Sequence, residues 1–350
     1  MTGYVNPALM DANPLQILWF MLIGVLLLGY FILDGFDLGS GALYPFLGKN
    51  EQEKALVRKS VGPLWDGNEV WLLTGGGALF AAFAPAYATS FSGFYLAIML
   101  VLFSLIARAA AIEFRALDAK WHKLWDIAFF LGSALPALLF GVAVGNVIEG
   151  VPLNEMGDYS GVPLFGLLRP FPLVCGVLSL SQMLLQGASW QALKTPVGCT
   201  VHKRASAMRT PLTIVVLVAF VLACVLYLGL LGDPHAATAL PLAVRFVPCV
   251  LLVIGVLAAL FFQKKGSDLM SFLASNIAPV ALILLTAVTL FPYLIPSIGP
   301  GPSITVASAG GSDLALTAMT IIACFGVPLV LVYHVIIYRT FRGRLKLEDA

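Results

Sequence analysis

Charged residues are scarce in this chain. Asp, Glu, Lys and Arg make up 11% of its 350 residues, against about 25% in a soluble globular domain. Hydrophobic residues make up 60%. This composition excludes an ordinary soluble protein and predicts an all-α polytopic membrane protein, with residues 1–350 forming a single integral membrane domain.

The residues of two common kinds of binding site are also missing. The cysteines show no CxxC or paired spacing, which excludes a zinc ribbon or a disulfide framework and predicts packing residues: Cys175, Cys199, Cys224, Cys249 and Cys324. The histidines lie near span ends or in connections, where surface or interface positions are expected: His122, His202, His235 and His334. With no facing pair of histidines at mid-membrane, no haem or metal is expected to be bound by this chain's own ligands.

Nucleotide and nucleic-acid chemistry are excluded as well. The glycines at 75–77 are not followed by the GK[ST] of a phosphate loop, and we predict no nucleic-acid partner.

The N-terminal residues MTGYVNPALMDANP contain no basic residue ahead of the first apolar run. A cleavable signal peptide is therefore not expected, and the first span should remain in the mature protein.

Nine apolar runs are long enough to cross a hydrocarbon core, for which about 20 helical residues suffice. They are residues 15–45, 58–84, 87–112, 124–147, 162–191, 209–231, 243–262, 270–295 and 313–338. Seventeen of the 20 Lys and Arg residues follow the odd-numbered spans, on one side of the membrane. The positive-inside rule makes that side cytoplasmic, so the N-terminus is predicted outside and the C-terminus in the cytoplasm.

Four acids lie inside the first two spans. Asp34 and Asp37 belong to 30-YFILDGFDLGSGALYPFLGK-49, and Asp66 and Glu69 belong to 61-VGPLWDGNEV-70. Each pair is three residues apart and shares one face of its helix. Counted along an antiparallel pair of helices, all four fall in the cytoplasmic half of the membrane, where we expect them to be neighbours.

Acids within a membrane usually face a bundle interior or a water-filled path. One interpretation is a proton path through Asp34, Asp37, Asp66 and Glu69, because desolvated carboxylates that are close together take up and release protons near neutral pH. The supporting residues predicted here line the path, hydrogen-bond it or supply a counter-ion: Trp65, Asn68, Trp71 and Arg108. The other interpretation is that the acids cap helix ends and pair with Arg58, Lys59 or Arg108.

The first span is too long for a simple crossing. From Leu15 to Gly48 it would extend roughly 51 Å as a helix, against a core of about 30 Å, so it must tilt, break or run past the bilayer. Gly35, Gly39 and Gly41 permit a break or the close approach of another backbone. A secondary transporter with an acidic site in a broken first helix is therefore one alternative function. A purely structural assembly subunit is another.

The turn at 84–90 is predicted to be tight enough to join the second and third spans as a hairpin.

Several motifs in the first 150 residues are distinctive. They are 34-DGFDLGSG-41, 62-GPLWDGNEVWLLTGGGALFAAF-83, 91-FSGFYLAIML-100, 108-RAAAIEFR-115 and 141-GVAVGNVIEGVP-152. With these motifs the chain resembles subunit II of the bacterial cytochrome bd-type quinol oxidases. The remaining residues agree with that family in length, span count and polarity.

The resemblance implies a fold and a set of partners. It implies two four-helix bundles, residues 1–150 and 151–310, followed by a peripheral helix and cytoplasmic tail at 311–350. It also implies a complex in the bacterial cytoplasmic membrane with a haem-bearing subunit I that holds two haems b and one haem d, oxidises quinol and reduces dioxygen to water. A small accessory subunit and a structural quinone or lipid are further possibilities in this family.

The resemblance also implies a role for the acids. In that family, acids of the first two spans of subunit II are implicated in carrying protons from the cytoplasm toward the haem that reduces oxygen. Asp34 matches the first acid of the DGFD motif, and Asp66 matches the acid of the WDGN motif. Asp37 and Glu69 join them by helix spacing rather than by the resemblance.

Overall fold

The computed structural model describes residues 12–118, 120–234 and 241–346. The histidine interpretation of His235 falls outside these residues. The helices are, in chain order, α1 Pro14–Leu47, α2 Glu51–Val61, α3 Trp65–Ala82, α4 Ala84–Gly93, α5 Tyr95–Phe114, α6 His122–Glu149, α7 Pro170–Lys194, α8 Thr200–Val225, α9 Leu242–Lys264, α10 Asp268–Ser275, α11 Ile277–Leu290, α12 Val306–Ala309 and α13 Asp313–Thr340. One π turn, Leu226–Leu230, continues α8, and two short strands, β1 Tyr293–Ile295 and β2 Ile304–Thr305, pair antiparallel.

The helical membrane architecture is confirmed. Eight stretches of the described residues are long and apolar enough to cross a membrane: Pro14–Leu47, Tyr95–Phe114, His122–Glu149, Pro170–Lys194, Thr200–Leu230, Ala243–Lys264, Asp268–Leu290 and Asp313–Thr340. The remaining predicted span corresponds to α3, whose first five residues include Asp66, Asn68 and Glu69. These polar residues lower the hydropathy of α3, although its 18 residues reach about 27 Å.

Helix α1 is continuous over its 34 residues. Asn13 caps its start, because its side chain accepts from the backbone N–H of Gln16 at 2.9 Å. The glycines inside α1 permit close packing and cause no break: a Cβ on Gly39 would lie 1.8 Å from the backbone oxygen of Met183. Gly187 of α7 faces Gly39 across this contact, and a Cβ on Gly187 would lie 2.4 Å from the backbone nitrogen of Ser40. A broken first helix, on which the transporter alternative depended, is therefore wrong.

The predicted boundaries near the second span were also wrong. Residues 58–61 belong to α2, and α3 begins only at Trp65, after Gly62 and Pro63. The predicted tight turn at 84–90 is part of helix α4, and the chain changes direction at Phe83 and again at Phe94. Small residues and an N-terminal proline allow α4 to form, which the turn-like composition of this stretch concealed.

Two later spans also differ from their predicted bounds. Residues 162–169 precede α7 as an irregular segment with one 3₁₀ turn, Phe165–Leu167. The eighth span is two helices, α10 and α11, with Asn276 between them, and the chain then forms β1.

The last helix lies on the outside of the bundle. None of the 18 residues in the most apolar stretch of α13 is buried, and the helix packs against α1 and α3. Helix α1 packs against α3, α6 and α7. The division into bundles at residues 150 and 310 stays a prediction, although α1 connects helices on both sides of the first boundary.

Candidate functional site

A buried ion cluster joins three helices at the centre of the site. Arg108 of α5 donates from Nη2 to Asp34 Oδ1 of α1 at 2.7 Å and to Glu69 Oε1 of α3 at 2.7 Å. Asp34 is fully buried, and the Arg108 side chain is 1% exposed. Glu69 is the most accessible member, with 25% of its side chain exposed. Arg108 is thus the shared counter-ion of two acids that are distant in sequence.

A second group of hydrogen bonds holds Asp37. Asn68 Nδ2 donates to Asp37 Oδ2 at 2.7 Å and to the backbone oxygen of Leu33 at 3.1 Å. The hydroxyl of Tyr338, near the end of α13, donates to Asn68 Oδ1 at 3.2 Å. Asp37 and Asn68 are 2% and 1% exposed, so this chain of bonds lies inside the protein.

Several buried polar atoms of the cluster have no hydrogen-bond partner among the described residues: Asp37 Oδ1, Arg108 Nε and Arg108 Nη1. Buried polar groups in proteins are almost always hydrogen-bonded, to protein or to water. Ordered water is the usual partner where several such atoms lie close together. The interior between α1, α3 and α5 is therefore polar, with donors and acceptors that water molecules can satisfy.

The site lies toward the end of α1 that the charge pattern assigns to the cytoplasm. Asp34 precedes Leu47, the last residue of α1, by 13 positions, or about 20 Å of helix. Asp37 is about 5 Å closer to that end. The two acids therefore fall in the half of α1 in which the sequence placed them.

Asp66 does not join this cluster. It lies one turn before Glu69, but its side chain is exposed. It lines a cleft of about 280 Å³ between α3 and α13, together with Gly67, Val70, Leu329, Val330, Tyr333 and His334. Asp66 is thus a neighbour of Glu69 along α3, but it is exposed and lines the outer cleft, whereas Asp34 and Asp37 are buried.

The other predicted partners have different positions. Trp65 is half-buried at the first residue of α3. Arg58 donates to the hydroxyl of Tyr44, near the end of α1. Tyr44 in turn donates to Asp126 Oδ1 at 2.7 Å. The network that includes Arg58 is thus formed with groups outside the four acids.

Sequence reasoning missed two residues of α13. His334 was expected at a surface or interface, but it is 8% exposed and accepts a hydrogen bond from Trp71 Nε1 at 3.1 Å. Tyr338 reaches Asn68 one turn further along α13. The only available signal was a His and a Tyr four residues apart on an otherwise apolar helix, which places them on one face.

Comparison with known proteins gives consistent results. A family model described as cytochrome bd terminal oxidase subunit II matches residues 15–341. A Haemophilus influenzae protein named probable cytochrome oxidase subunit 2 is 37% identical, with 96% of this chain and 97% of that protein covered. Subunit 2 of the cytochrome bd-I ubiquinol oxidase of Escherichia coli (strain K12) is 36% identical, with coverages of 97% and 98%.

A more distant relative and a solved structure extend the comparison. Subunit 2 of the cytochrome bd ubiquinol oxidase of Bacillus subtilis (strain 168) is 34% identical, with 95% of this chain and 97% of that protein covered. A chain of the bd oxidase structure from Geobacillus thermodenitrificans superposes with a TM-score of 0.77 at 14% identity, covering 94% of this chain and 99% of that one. At that identity the structural match shows the fold alone.

Proposed function

The chain belongs to the family of subunit II of cytochrome bd terminal oxidases, and from that premise we propose how it serves its complex. The resemblance seen in the sequence is confirmed. The protein is one subunit of a terminal oxidase complex, an oxidoreductase of the bacterial membrane, in which it works with a subunit I. Its own task in this proposal is to carry protons from the cytoplasmic side toward subunit I.

The haems are assigned to subunit I, in the proposal two of type b and one of type d, with quinol as the reductant. Two of the described histidines already use their ring nitrogens in hydrogen bonds within this chain. His334 accepts from Trp71 at Nε2, so Nδ1 carries the ring proton and donates to the backbone oxygen of Val330 at 2.8 Å. His202 Nε2 bonds Asp268 at 3.2 Å. Among the described residues, no group of three or more His, Cys, Asp or Glu side chains is arranged to hold a metal ion.

The observation that carries the proton proposal is the charge of the buried cluster. Asp34 and Glu69 pair with one buried cation, Arg108, and the third acid of the cluster, Asp37, is hydrogen-bonded by the neutral amide of Asn68. With every group ionised, three carboxylates and one guanidinium would leave two negative charges inside the protein. Uncompensated charge is costly there, so the cluster gains stability by binding protons. A group of carboxyls that binds protons beside hydrated polar atoms can also pass them on.

The geometry suggests an order for the transfer. Asp37, the acid nearest the end of α1, receives a proton from the cytoplasmic side. The proton passes along the hydrated interior to Asp34 and Glu69, while Arg108 stabilises whichever of the two carboxylates is ionised. Glu69 is the most exposed of the three and delivers the proton at the surface that subunit I covers. Asp66, at the outer cleft, is proposed to serve the same transfer from its exposed position, with Trp65 beside it. The haems of subunit I supply the electron transfer and the oxygen chemistry that consume these protons.

The test is a comparison of carboxamide variants in the intact complex. This chain is co-expressed with its subunit I and purified, and the haem difference spectrum and quinol-driven oxygen uptake are measured for Asp37→Asn and Asp34→Asn. We expect full haem content with oxygen uptake reduced at least tenfold. Glu155→Gln, an exposed acid of a connection, is the matched control and should behave as wild type.

The rival interpretation is a structural subunit whose acids only pair with cations. It predicts that Asp37→Asn, Asp34→Asn and Asp66→Asn all retain normal oxygen uptake once haem is present, and that result would refute the proton path. Nothing in the comparisons or in the unbroken α1 favours a transporter.

A cavity of about 350 Å³ is proposed as the place of a structural quinone or lipid chain. Its lining is almost entirely apolar and comes from α1, α6, α7, α8, α9 and α11, including Phe31, Phe140, Phe171 and Phe220. We expect Ala223→Phe, which places a ring in the cavity, to reduce the quinone or lipid that co-purifies with the complex. Mass spectrometry of extracted complexes checks this, and unchanged content would contradict it.

The orientation in the membrane also remains part of the proposal. Cytoplasmic placement of the C-terminus and external placement of the N-terminus follow from the charge bias. Cysteine tags at the two termini, labelled in intact cells with an impermeant reagent, test both assignments. A small accessory subunit, which some relatives are expected to carry, is tested by the composition of the purified complex.

A further inference from the structure

Helix α13 has few buried residues of its own. Of its 28 residues only Leu316 and His334 are buried, and large apolar side chains such as Phe325 and Leu329 are 71% and 70% exposed. Apolar packing therefore contributes little to fixing the rotation of this helix about its axis. The polar contacts of α13 with α3 are therefore expected to fix its rotation and to indicate its role.

The two polar side chains of α13 reach the helix that carries Asp66 and Glu69. His334 and Tyr338 are four residues apart on one face, and they bond Trp71 and Asn68, which are three apart on α3. The ring centroids of His334 and Tyr338 lie 6.3 Å apart and their planes are within 23° of each other. Two hydrogen bonds, one turn apart, thus join α13 to α3.

The orientation of the Asn68 amide follows from its partners. The backbone oxygen of Leu33 only accepts hydrogen bonds, and so does the Asp37 carboxylate when it is ionised, so the NH₂ group of Asn68 must face them. Its Oδ1 therefore faces Tyr338, whose hydroxyl must donate. Asn68 is 1% exposed, so no bulk water replaces that donor.

The tail after α13 holds Tyr338 in place from the cytoplasmic side. Lys194 Nζ, at the end of α7, donates to the backbone oxygens of Phe341 at 2.5 Å and of Gly343 at 2.9 Å. The backbone N–H of Leu345 donates to the oxygen of Lys194 at 2.7 Å. These contacts begin three residues beyond Tyr338, so they fix the height and rotation of the last turn of α13.

We propose that Tyr338 is a positioning residue of the acid cluster: its hydroxyl holds the Asn68 amide so that the amide hydrogen-bonds Asp37 and keeps this carboxyl in line with the proton path. This inference rests on the proposed function, because it gives Asp37 a role in proton transfer. The proposal also gives α13 a role in proton transfer, although few of its residues are buried against the other helices.

Tyr338→Phe in the intact complex tests the proposal, because it removes only the hydroxyl and keeps the ring. We expect the kcat of oxygen uptake to fall about tenfold, the rate equivalent of one net hydrogen bond, with the KM for quinol and the haem content unchanged. The pH profile of kcat should be displaced from that of wild type. Tyr95→Phe, an exposed tyrosine of α5, is the matched control and should change neither quantity.

Asn68→Leu is the second variant, and it removes the amide that links Tyr338 to Asp37. It should displace the pH profile in the same direction, and Tyr338→Phe should add nothing further in its presence, since the two changes break one chain of bonds. If Tyr338→Phe yields no haem-loaded complex, Asn68→Leu alone decides: a wild-type pH profile overturns the proposal.

Asp37→Asn, measured in parallel, distinguishes a failure of the proton path from a failure of the positioning role of Tyr338. If Asp37→Asn is impaired while Tyr338→Phe and Asn68→Leu match wild type in rate and pH profile, the positioning role is wrong and the proton path stands. If Asp37→Asn also matches wild type, the proton path fails, and the role of Tyr338 fails with it.

Discussion

Arg108 binds two carboxylates through a single terminal nitrogen, and this contact predicts a stability role besides the functional role proposed for it. It is fully buried, and its loss would leave Asp34 and Glu69 without their cation. Breaking a buried ion pair by removing one partner typically costs about 3–5 kcal/mol. We therefore expect Arg108→Leu to lower the thermal unfolding midpoint and the haem content of the purified complex strongly.

Charge compensation is the control for that prediction. Adding Asp34→Asn and Glu69→Gln to Arg108→Leu removes the uncompensated carboxylates and should restore part of the lost stability, although not oxygen uptake. An Arg108→Leu complex with the wild-type midpoint would show that the ion cluster contributes little to stability.

At the residue scale, the sequence predicted the members of the site better than their arrangement. Acids within a span are expensive, so Asp34, Asp37 and Glu69 were identifiable from composition and helix spacing alone. Spacing along α3 did not show that Asp66 faces the outer cleft, because it does not say which face the neighbouring helices cover. Tyr338 was missed, because its contact with Asn68 joins positions 270 residues apart in the chain.

The crossing of α1 and α7 depends on a glycine. A Cβ at Gly39 would lie 1.8 Å from the backbone oxygen of Met183, so an alanine there must push the two helices apart. Overpacking of this kind typically costs about 1–3 kcal/mol. We expect Gly39→Ala to lower the unfolding midpoint of the complex and, because a displaced α1 carries Asp34 and Asp37 with it, to reduce oxygen uptake.

Gly24, in the same helix, provides the matched control. A Cβ there meets nothing within 4 Å, so Gly24→Ala should change stability by less than about 1 kcal/mol, the usual helix-propensity difference. Equal effects of the two substitutions would mean that helix propensity, and not the crossing, determines the result.

Helix α2 is attached through Glu53, and this attachment depends on pH. Burial acts to raise the pKa of Glu53, but hydrogen bonds from the Thr200 hydroxyl, from Arg204 and from the backbone N–H of Lys49 lower it from 4.5 to about 2. A carboxyl whose pKa is lower in the folded protein stabilises it fully above pH 4.5, and that stabilisation is lost as the pH falls toward 2. We expect Glu53→Gln to lower the unfolding midpoint at pH 7 and to lessen its fall between pH 4.5 and pH 3.

The exposed acid Glu155 is the control for the pH experiment. Glu155→Gln should leave the midpoint and its pH dependence as in wild type, since its side chain is exposed. A Glu53→Gln complex whose midpoint falls with pH as steeply as wild type would contradict a stabilising role for this carboxylate.

At the element scale, hydropathy located the membrane helices and missed the pieces between them. Long apolar runs such as α6 were predicted within a few residues, because a hydrocarbon core demands about 20 apolar residues. The break between α2 and α3, the short α4 and the division of the eighth span depend on local packing, which leaves no periodic signal. The sequence did not determine whether α1 is continuous, because glycine is compatible both with a helix break and with the close approach of another backbone.

For the whole molecule, the last helix and its tail connect distant parts of the chain. The tail segment after α13 contacts the end of α7 and the start of α10, while α13 itself contacts α1 and α3. The sequence placed α13 as a peripheral helix but gave no sign of this connection, since basic residues near a C-terminus are expected from the charge bias alone.

Arg344 is the centre of this connection and offers its sharpest test. It donates to the backbone oxygens of Ala192 and Thr195, each at 2.6 Å, and to Asp268 Oδ2 at 2.7 Å. Arg344→Ala should loosen the tail, and because the tail sets the position of Tyr338, oxygen uptake should fall in the same direction as for Tyr338→Phe. Arg342→Ala, at an exposed position two residues earlier, removes the same charge and should leave oxygen uptake unchanged. If both variants reduce oxygen uptake equally, the charge of the tail and not its attachment is responsible; if neither does, α13 is held in place without the tail.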